Sequence, residues 1–352
     1  MRVWKKVIIA IAALVGVAAL VGGYYVWNNV TWNQRLDARV AGAGFVEKQA
    51  TVDGVTLNFG ENPASAGKPV LVLLHGQGGA WQSYHSVLRG LAQEFHVFAI
   101  DVPGHGKSDR WQGHYTAVEL GDLVAHFAND VIGAPVFVSG HSSGGHIAAT
   151  FAANHPEQVR GVLFEDPPFF TTELPRAKET WNWQDLASAA NSFIDSNESD
   201  WPGYYWEHQL MWKFFGPDAG RIINDGLRYH EKHPDQPIRV WYLPGIMAEY
   251  ARYSIDYDPY FGLAFYDGSW NQGFDQEATL RAIEAPVIYV RAKEVLGDDG
   301  VLQAAASYDE ARRALECLPG AKFVEADTSH NYHGDKPGEF VDLTVSLLNE
   351  QY

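Results

Sequence analysis

Short apolar runs separated by helical patterns constrain the fold of this chain more than any other feature. Each run is continuously hydrophobic, which is typical of a strand buried on both faces of a parallel sheet. Strands that alternate with helices predict an α/β domain whose sheet is mostly parallel and has helices on both faces. The five clearest runs are residues 69–74, 97–100, 135–138, 159–164 and 286–290.

An antiparallel hairpin is predicted before the first of these runs. Residues 45–51 and 55–59 have strand patterns, and Asp53-Gly54 between them is a two-residue turn signal. Apolar periodicity predicts helices between the strands. These helices cover residues 81–91, 117–129, 143–154 and 304–318.

The alternation of strands and helices lapses between residues 168 and 276. This segment holds seven of the 12 tryptophans and nine of the 17 tyrosines in the chain. We interpret it as an inserted, mainly helical cap that divides a core made of residues 45–167 and 277–352. Most of its aromatic side chains are expected to pack within the cap, although their number also favours an aromatic-lined pocket.

The N-terminal segment has the length and composition of a single transmembrane helix. Residues 7–26 carry no charge and follow three basic residues, and twenty such residues can cross a bilayer. Aromatic residues at positions 24, 25 and 27 fit the membrane interface. We therefore predict a signal anchor over residues 1–27 and a polar linker over 28–44, with the remaining domain on the extracytoplasmic side. A signal peptide that is cleaved to release a secreted domain is the alternative.

Charge and cysteine content exclude several classes of function. With 26 basic and 43 acidic residues the net charge is −17, which argues against nucleic acid as a partner. The single cysteine, Cys317, excludes an intrachain disulfide and a cysteine-based zinc cluster. We expect neither a cofactor nor a metal, and the sequence leaves the oligomeric state open.

A glycine-flanked serine lies at a strand-to-helix junction. Gly140-x-Ser142-x-Gly144 follows the run 135–138 and opens the helical pattern 143–154. In a nucleophile elbow, such glycines allow neighbouring backbones to approach a tight, strained turn that exposes the serine hydroxyl. The short pattern also fits a glycine-rich turn without chemistry. Its position between a strand and a helix favours Ser142 as a nucleophile.

A second glycine-rich turn, His75-Gly76-Gln77-Gly78-Gly79, follows the run 69–74. Acyl-transfer enzymes of this architecture place their oxyanion-hole loop at this point. We predict the backbone amides of Gln77 and Ser143 as the two donors, and His75 and Gly76 as substrate contacts. By itself, the turn fits a plain loop equally well.

A histidine late in the chain is the candidate general base. His330 would accept the proton of Ser142 and return it to the leaving group, while a carboxylate fixes its tautomer. His333 forms a His-x-x-His pair with it, a pattern that also occurs in metal sites. No carboxylate or cysteine accompanies the pair at metalloprotease spacing, so we expect His333 to support the site structurally.

Four motifs occur in an order that resembles the α/β-hydrolase superfamily. They are residues 73–79, the Asp-x-Pro-Gly-His-Gly-x-Ser turn that begins at Asp101, residues 140–145 and the late His330. The resemblance covers about residues 45–165 and 280–350, and not the cap. It implies an α/β-hydrolase fold with an eight-stranded sheet, a Ser-His-acid triad, and a structural role for Asp101 at the floor of the site.

The triad acid departs from the commonest pattern that this resemblance implies. That pattern has an aspartate after the seventh strand, where this chain has Val295. Some similar enzymes take the acid from the end of the sixth strand, and here the run 159–164 leads directly into Glu165 and Asp166. We predict one of these two residues as the acid. The next candidates are Glu294 and then Asp298 or Asp299, which also fit a solvated acidic loop.

The resemblance implies hydrolysis of a carboxylic ester or a related acyl substrate. Similar enzymes with a serine triad also hydrolyse lactones, amides or carbon–carbon bonds, and a few catalyse perhydrolysis. A serine nucleophile argues against epoxide hydrolysis and dehalogenation, for which related enzymes use aspartate. The aromatic-rich cap favours a small-molecule substrate with a mid-sized apolar or aromatic acyl group. A non-catalytic ligand-binding protein on the same scaffold is the alternative from another class.

Overall fold

An eight-stranded, mostly parallel sheet forms the centre of the fold. The computed structural model describes residues 2–62 and 67–349, without the side chains of residues 2 and 3. The strands are β1 (Val46–Val52), β2 (Val55–Glu61), β3 (Val70–Leu74), β4 (His96–Ile100), β5 (Val136–His141), β6 (Val159–Glu165), β7 (Val287–Arg291) and β8 (Lys322–Glu325). Their spatial order is β1-β2-β4-β3-β5-β6-β7-β8.

The first two strands form the predicted hairpin. β1 pairs antiparallel with β2, and Val52 lies opposite Val55. Asp53 and Gly54 turn the chain with φ angles of 51° and 80°, the left-handed conformation that favours a two-residue hairpin turn. β2 is also antiparallel to β4, and the remaining neighbouring strands are parallel.

Fourteen α-helices occur in the part of the chain that the structure describes. They are α1 (Arg2–Val30), α2 (Trp32–Gly42), α3 (Leu88–Leu91), α4 (Ala117–Phe127), α5 (Ser143–Asn154), α6 (Ser188–Asp195), α7 (Trp201–His208), α8 (Ala219–Lys232), α9 (Gly245–Tyr253), α10 (Pro259–Asp267), α11 (Gln276–Arg281), α12 (Tyr308–Cys317), α13 (Tyr332–Asp335) and α14 (Pro337–Ser346). The predicted helix over residues 81–91 is instead a 3₁₀ turn, Trp81–Ser86, followed by α3.

Hydrophobic side chains fill both faces of the sheet. Side chains alternate between the two faces along a strand, so Leu71 and Leu73 of β3 are buried on one face and Val72 and Leu74 on the other. α4, α5 and α12 cover the face of Val72, whereas α3 and α14 cover the face of Leu71. Burial on both faces explains why the core strands are continuously apolar.

The segment from residue 168 to 276 is helical, with α6 to α10 and the start of α11. Part of it has a small hydrophobic core of its own, in which Trp206 and Trp212 are buried. It contacts the sheet core through Asp258, whose carboxylate accepts a hydrogen bond of 2.7 Å from the Tyr115 hydroxyl. Trp206 and Trp212 therefore stabilise the segment itself, whereas other buried aromatic side chains of the segment belong to the main core with the sheet. They include Trp201, Tyr257, Phe261, Phe265, Trp270 and Phe274.

Residues 28–44 differ from the predicted polar linker. α1 continues to Val30, and α2 packs on the sheet core through Leu36 and Val40, which are 3% and 6% exposed. These two side chains are four residues apart and share one face of the helix. Polar residues surround this short apolar stripe, which is why the sequence pattern suggested a linker.

The end of α1 and the start of α2 also contact the helical insertion, residues 168–276. The Trp32 indole nitrogen donates a hydrogen bond of 2.7 Å to Glu249 on α9. The backbone amide of Gly245 donates to the Asn29 side-chain oxygen at 3.1 Å. The N-terminal helices are thus joined by direct hydrogen bonds to the helical insertion.

Trp4–Val30 of α1 is the one helix among the described residues that is long and apolar enough to cross a membrane. Its 27 residues extend over roughly 40 Å at 1.5 Å per residue, which exceeds a hydrocarbon core of about 30 Å. None of its apolar window is buried against the rest of the protein. A membrane anchor and a signal sequence both have these properties.

Candidate active site

Ser142 lies at a sharp turn between β5 and α5. Its φ and ψ angles are 54° and −125°, a strained conformation for a residue other than glycine. The backbone amide of Ser142 donates a hydrogen bond of 2.9 Å to the Glu165 carbonyl. The chain is so crowded here that a Cβ at Gly144 would lie 2.2 Å from the Leu74 carbonyl oxygen. The glycine pattern therefore meets a steric requirement of the turn that presents Ser142 to a cavity.

The two predicted oxyanion donors belong to residues that line the same cavity as Ser142, namely Gln77 and Ser143. Ser143 is the first residue of α5, so its amide lies at the positive end of the helix dipole. Among the residues that the structure describes, neither backbone amide has a hydrogen-bond acceptor in the protein. No acceptor in the described protein therefore competes with a ligand oxygen for these two amides.

His330 is oriented by Asp166. The Nδ1 atom of His330 lies 2.6 Å from Asp166 Oδ2, and the other oxygen of Asp166 accepts a hydrogen bond of 2.9 Å from the Ala292 amide. Burial would lower the pKa of His330, but the hydrogen bond and the charge of Asp166 raise it above its ordinary value. With Nδ1 held by Asp166, Nε2 is the nitrogen available for proton exchange.

Glu165, the other predicted acid, contacts a different histidine. It is fully buried, and its Oε1 atom accepts hydrogen bonds from the His333 amide at 2.7 Å and from His333 Nδ1 at 2.8 Å. Burial would raise the pKa of Glu165, but the His333 and His141 rings hold it below its ordinary value. His330 and His333 therefore bind separate carboxylates and do not form a joint metal-ligand pair.

The lower-ranked acid candidates have other partners. Glu294 accepts a hydrogen bond of 2.9 Å from the guanidinium of Arg291, whose side chain is only 2% exposed. Asp299 accepts one of 3.3 Å from the ammonium group of Lys213. Glu294 compensates a buried charge, and Asp299 belongs to an exposed loop.

His75 and Gly76, predicted as substrate contacts, are buried and do not line the cavity that contains Ser142. The His75 ring accepts a hydrogen bond of 3.0 Å from the Val102 amide at Nε2 and lies 2.8 Å from the Gly76 carbonyl at Nδ1. Its burial lowers the pKa of His75 to about 4, so the ring is neutral near pH 7. A Cβ at Gly76 would lie 2.7 Å from the Ser142 Cβ. In the structure these two residues stabilise the turn that follows β3 and allow it to lie close to Ser142.

Ser142 and His330 line a cavity of about 300 Å³, and a second cavity of about 270 Å³ adjoins it. Five residues line both cavities, and they are Gln77, Trp181, Asp185, Leu186 and Tyr205. Four of these five belong to the helical insertion. The aromatic excess was the only sequence signal for this wall, and it does not distinguish side chains that face a cavity from those in the insertion's own core.

Residues 69–337 match the family model for the alpha/beta hydrolase fold. This span covers more than half of the chain and includes the turns that carry Gln77, Ser142, Asp166 and His330. The chain belongs to the α/β-hydrolase family. The family and the names of its relatives support hydrolase activity.

This α/β hydrolase is similar in sequence to enzymes with different activities. It is 26% identical over 345 residues to epoxide hydrolase B of Mycobacterium tuberculosis, a match that covers 82% of this chain and 93% of that protein. It is 31% identical over 134 residues to the dihydrolipoyllysine-residue acetyltransferase component of an acetoin cleaving system from Cupriavidus necator. That second match covers 38% of this chain and only 35% of the relative.

Solved structures resemble the hydrolase over most of its length. A membrane phospholipase A described as a bacterial virulence factor has a TM-score of 0.59 and 22% identity, over 99% of this chain and 98% of that one. The enol-lactonase of Burkholderia xenovorans LB400 has a TM-score of 0.60 and 19% identity, over 86% and 100% of the two chains. At these identities the likeness establishes a shared fold.

Replacement of Gly144 by alanine should destabilise the hydrolase, although alanine favours a helix over glycine by up to about 1 kcal/mol. The added Cβ would overlap the Leu74 carbonyl, so α5 or β3 must move. We expect a loss of about 1–3 kcal/mol in the free energy of unfolding, measured by denaturant unfolding of the full chain in detergent.

Gly220→Ala in α8 is the matched control, because no atom lies within 4 Å of a Cβ there. We expect this control to be as stable as the wild type or more stable. Equal stability of the two alanine variants would contradict the steric explanation of the elbow.

Proposed function

We propose that this α/β hydrolase is a serine hydrolase that cleaves a carboxylic ester, or a related acyl substrate, through an acyl-enzyme intermediate. One observation carries the proposal: a strained serine and a carboxylate-bound histidine line the same cavity. The fold alone would not support it, because α/β folds host many functions. The roles assigned to Ser142, His330 and Asp166 follow from their chemistry and positions.

In the first step His330 acts as the general base. Its Nδ1 proton is held by Asp166, which leaves a neutral Nε2 to accept the proton of Ser142 as the serine oxygen attacks the carbonyl carbon. Asp166 remains ionised and stabilises the imidazolium that forms. General-base assistance of this kind contributes roughly 10²–10⁴-fold to the rate.

The backbone amides of Gln77 and Ser143 bind the negatively charged oxygen of the tetrahedral intermediate. Donors that are fixed before the reaction are worth roughly 10²–10³ in kcat each. The intermediate collapses as His330 returns its proton to the leaving alcohol, and the acyl group remains on Ser142. A water molecule activated by the same histidine then releases the carboxylic acid.

The identity of the nucleophile favours acyl chemistry over the epoxide chemistry named for the mycobacterial relative. Epoxide opening through an ester intermediate uses a carboxylate at the elbow, and this chain has the hydroxyl of Ser142. A lactone contains the same carbonyl ester group and would react by the same steps. The likeness to an enol-lactonase therefore makes lactone hydrolysis the second candidate.

The cavity walls favour an ester with an apolar or aromatic acyl group. Trp181, Leu186, Tyr205 and Phe265 line the cavity that contains Ser142, and such side chains bind apolar groups. The likeness to a membrane phospholipase A covers 99% of the chain and so extends over the N-terminal helix. This extent supports an acyl ester from a membrane as the substrate.

We further propose that Trp4–Val30 anchors the enzyme in a membrane, with the catalytic domain outside the cytoplasm. The basic residues that precede the apolar segment support this orientation. α1 continues from the apolar segment to Val30 without interruption, and its end contacts the insertion. These contacts favour retention of the helix over its removal as a signal peptide.

A fluorophosphonate probe should label Ser142, and Ser142→Ala should abolish both labelling and the hydrolysis of p-nitrophenyl esters. Loss of the hydroxyl removes the bond-forming atom while the fold is retained. Mass spectrometry of the labelled peptide and a panel of esters and lactones provide the measurements. A folded wild-type protein that reacts with neither probe nor substrate would leave ligand binding on a hydrolase scaffold as its function.

Asp166→Asn should lower kcat by about 10³–10⁴-fold, because the amide cannot hold the His330 tautomer or its positive charge. In the wild type, kcat/KM should fall at acidic pH, because protonated His330 cannot accept the serine proton. Since Asp166 raises the pKa of His330, this midpoint should lie above pH 6.5 and should move to lower pH in Asp166→Asn.

Glu294→Gln is the control for the acid, since this side chain contacts Arg291 and not His330. It should retain kcat within about twofold, because the change affects the ion pair with Arg291 and leaves the contact between His330 and Asp166 in place. A reversed result, with Asp166→Asn active and Glu294→Gln inactive, would refute the assignment of Asp166.

Alkaline carbonate should not extract the full-length protein from membranes, because α1 would cross the bilayer. A variant that begins at residue 28 should be soluble or released by carbonate. Protease added to intact spheroplasts should digest the domain in the wild type. Quantitative recovery of a shortened, soluble protein from cells that express the full chain would instead indicate a cleaved signal peptide.

A further inference from the structure

A second histidine–carboxylate pair lies directly beside the first. Glu165 and Asp166 are consecutive at the end of β6, and they contact His333 and His330, which are three residues apart. Asp166 orients the ring of His330. Glu165 binds both the backbone amide and the ring of His333, so it holds the loop on which His330 is carried.

The chemistry of the contacts indicates an ion pair. His333 Nδ1 lies 2.8 Å from each oxygen of Glu165, and Nε2 lies 3.2 Å from the Ser83 carbonyl. Both ring nitrogens therefore face acceptors, and only the imidazolium can donate from both. The side chains of Glu165 and His333 are 0% and 2% exposed. A buried ion pair is costly to desolvate and contributes little net stability by itself.

Further contacts enclose His333 and fix its backbone. The ring of Tyr84 lies 4.6 Å from the His333 ring, centroid to centroid. The Ser86 hydroxyl donates a hydrogen bond of 2.9 Å to the His333 carbonyl. His141, next to the nucleophile, lies 2.8 Å from the His330 carbonyl through its Nε2 atom. The loop is thus bound on both sides of the catalytic ring. Among the described residues, Glu165 and Asp166 are the two carboxylates at the end of β6 that contact this loop.

We propose that the Glu165–His333 ion pair is a positioning pair that sets where His330 stands relative to Ser142. The end of β6 then holds the catalytic histidine twice, by its ring through Asp166 and by its loop through Glu165. Since the Ser142 amide donates to the Glu165 carbonyl, the same residue also joins the nucleophile turn to the histidine loop. The proposal rests on the proposed function, because it assigns the pair a role in the reaction of Ser142 and His330.

A pair of similar chemistry outside the site provides the matched control. His96 Nε2 lies 2.8 Å from Glu61 Oε1 between β4 and β2, with side-chain exposures of 17% and 13%. Glu61→Gln changes the carboxylate that contacts His96 and also Lys48, at 2.7 Å, and it leaves the histidine loop untouched. It therefore reports the general effect of such a loss on stability and activity.

The test uses three variants of the pair, which are Glu165→Gln, His333→Phe and the double variant that combines these two changes. Each is compared with the control Glu61→Gln. We expect each single change at the pair to lower kcat by about 10- to 100-fold, because a small displacement of a catalytic group has an effect of that size. KM should stay within about twofold, since neither side chain lines the cavity that Ser142 faces. The double variant should be no slower than either single variant, because both remove the same interaction.

His333→Gln should have a higher kcat than His333→Phe, because the glutamine amide can donate a hydrogen bond to Glu165. It also replaces His333→Phe in the test if that variant fails to fold. Folding is checked by circular dichroism and thermal unfolding. Folded variants at the pair that retain wild-type kcat, or that lose no more than Glu61→Gln, would overturn the proposal. Losses that multiply in the double variant would overturn it as well.

A readout that needs no activity separates this proposal from the assignment of the function. The His330 Nδ1 proton that bonds to Asp166 should give a downfield proton resonance, assigned by its loss in His330→Gln. This resonance should weaken or shift in Glu165→Gln and His333→Phe and stay unchanged in Glu61→Gln. An unreactive serine in the wild type would refute the proposed function. An unchanged His330 resonance in Glu165→Gln and His333→Phe would refute the positioning role, whether or not the serine reacts.

Discussion

The shared register of four parallel strands determines where every part of the site lies. Leu74 of β3 pairs with Gly140 of β5, Gly140 pairs with Phe164 of β6, and Glu165 pairs with Val290 of β7. These ladders bring the turns that follow the strands to one edge of the sheet, as is general for the carboxyl ends of parallel strands. The turn that carries Gln77, the turn that carries Ser142 and the carboxylates of Glu165 and Asp166 are therefore neighbours in space although they are far apart in sequence.

Hydrogen bonds to the neighbouring strands stabilise the strained backbone at two of these turns. Ser142 and Asp166 each follow a strand directly and have φ angles of 54° and 44°. A left-handed conformation of this kind costs a non-glycine residue about 1–3 kcal/mol. The Ser142 amide donates to the Glu165 carbonyl and the Asp166 amide to the Val290 carbonyl, at 2.9 and 2.8 Å. These hydrogen bonds offset the strain, and the turns bring Asp166 into contact with His330 and Ser142 to the cavity that His330 also lines.

The helical insertion connects the site to the N-terminal helices. α9 contacts α2 through the hydrogen bond between Trp32 and Glu249, and Met247 on the same helix lines the cavity that adjoins the one at Ser142. One helix thus contributes both to the cavity wall and to the contact with α2.

Local patterns in the sequence determined the core strands, the first hairpin and the turn at Ser142, because strand periodicity and turn chemistry act over a few residues. The resemblance to α/β hydrolases ranked Glu165 and Asp166 first as candidates for the acid, ahead of Glu294. Only the tertiary structure brought His330 to Asp166 and His333 to Glu165. Consecutive side chains at a strand end diverge, and the loop they meet is 164 residues away in the chain. Tertiary packing likewise decided that α2 is buried on one face and which aromatic side chains of the insertion line the cavities. The burial of a short apolar stripe depends on the surface it meets, and the stripe itself carries no information about that surface.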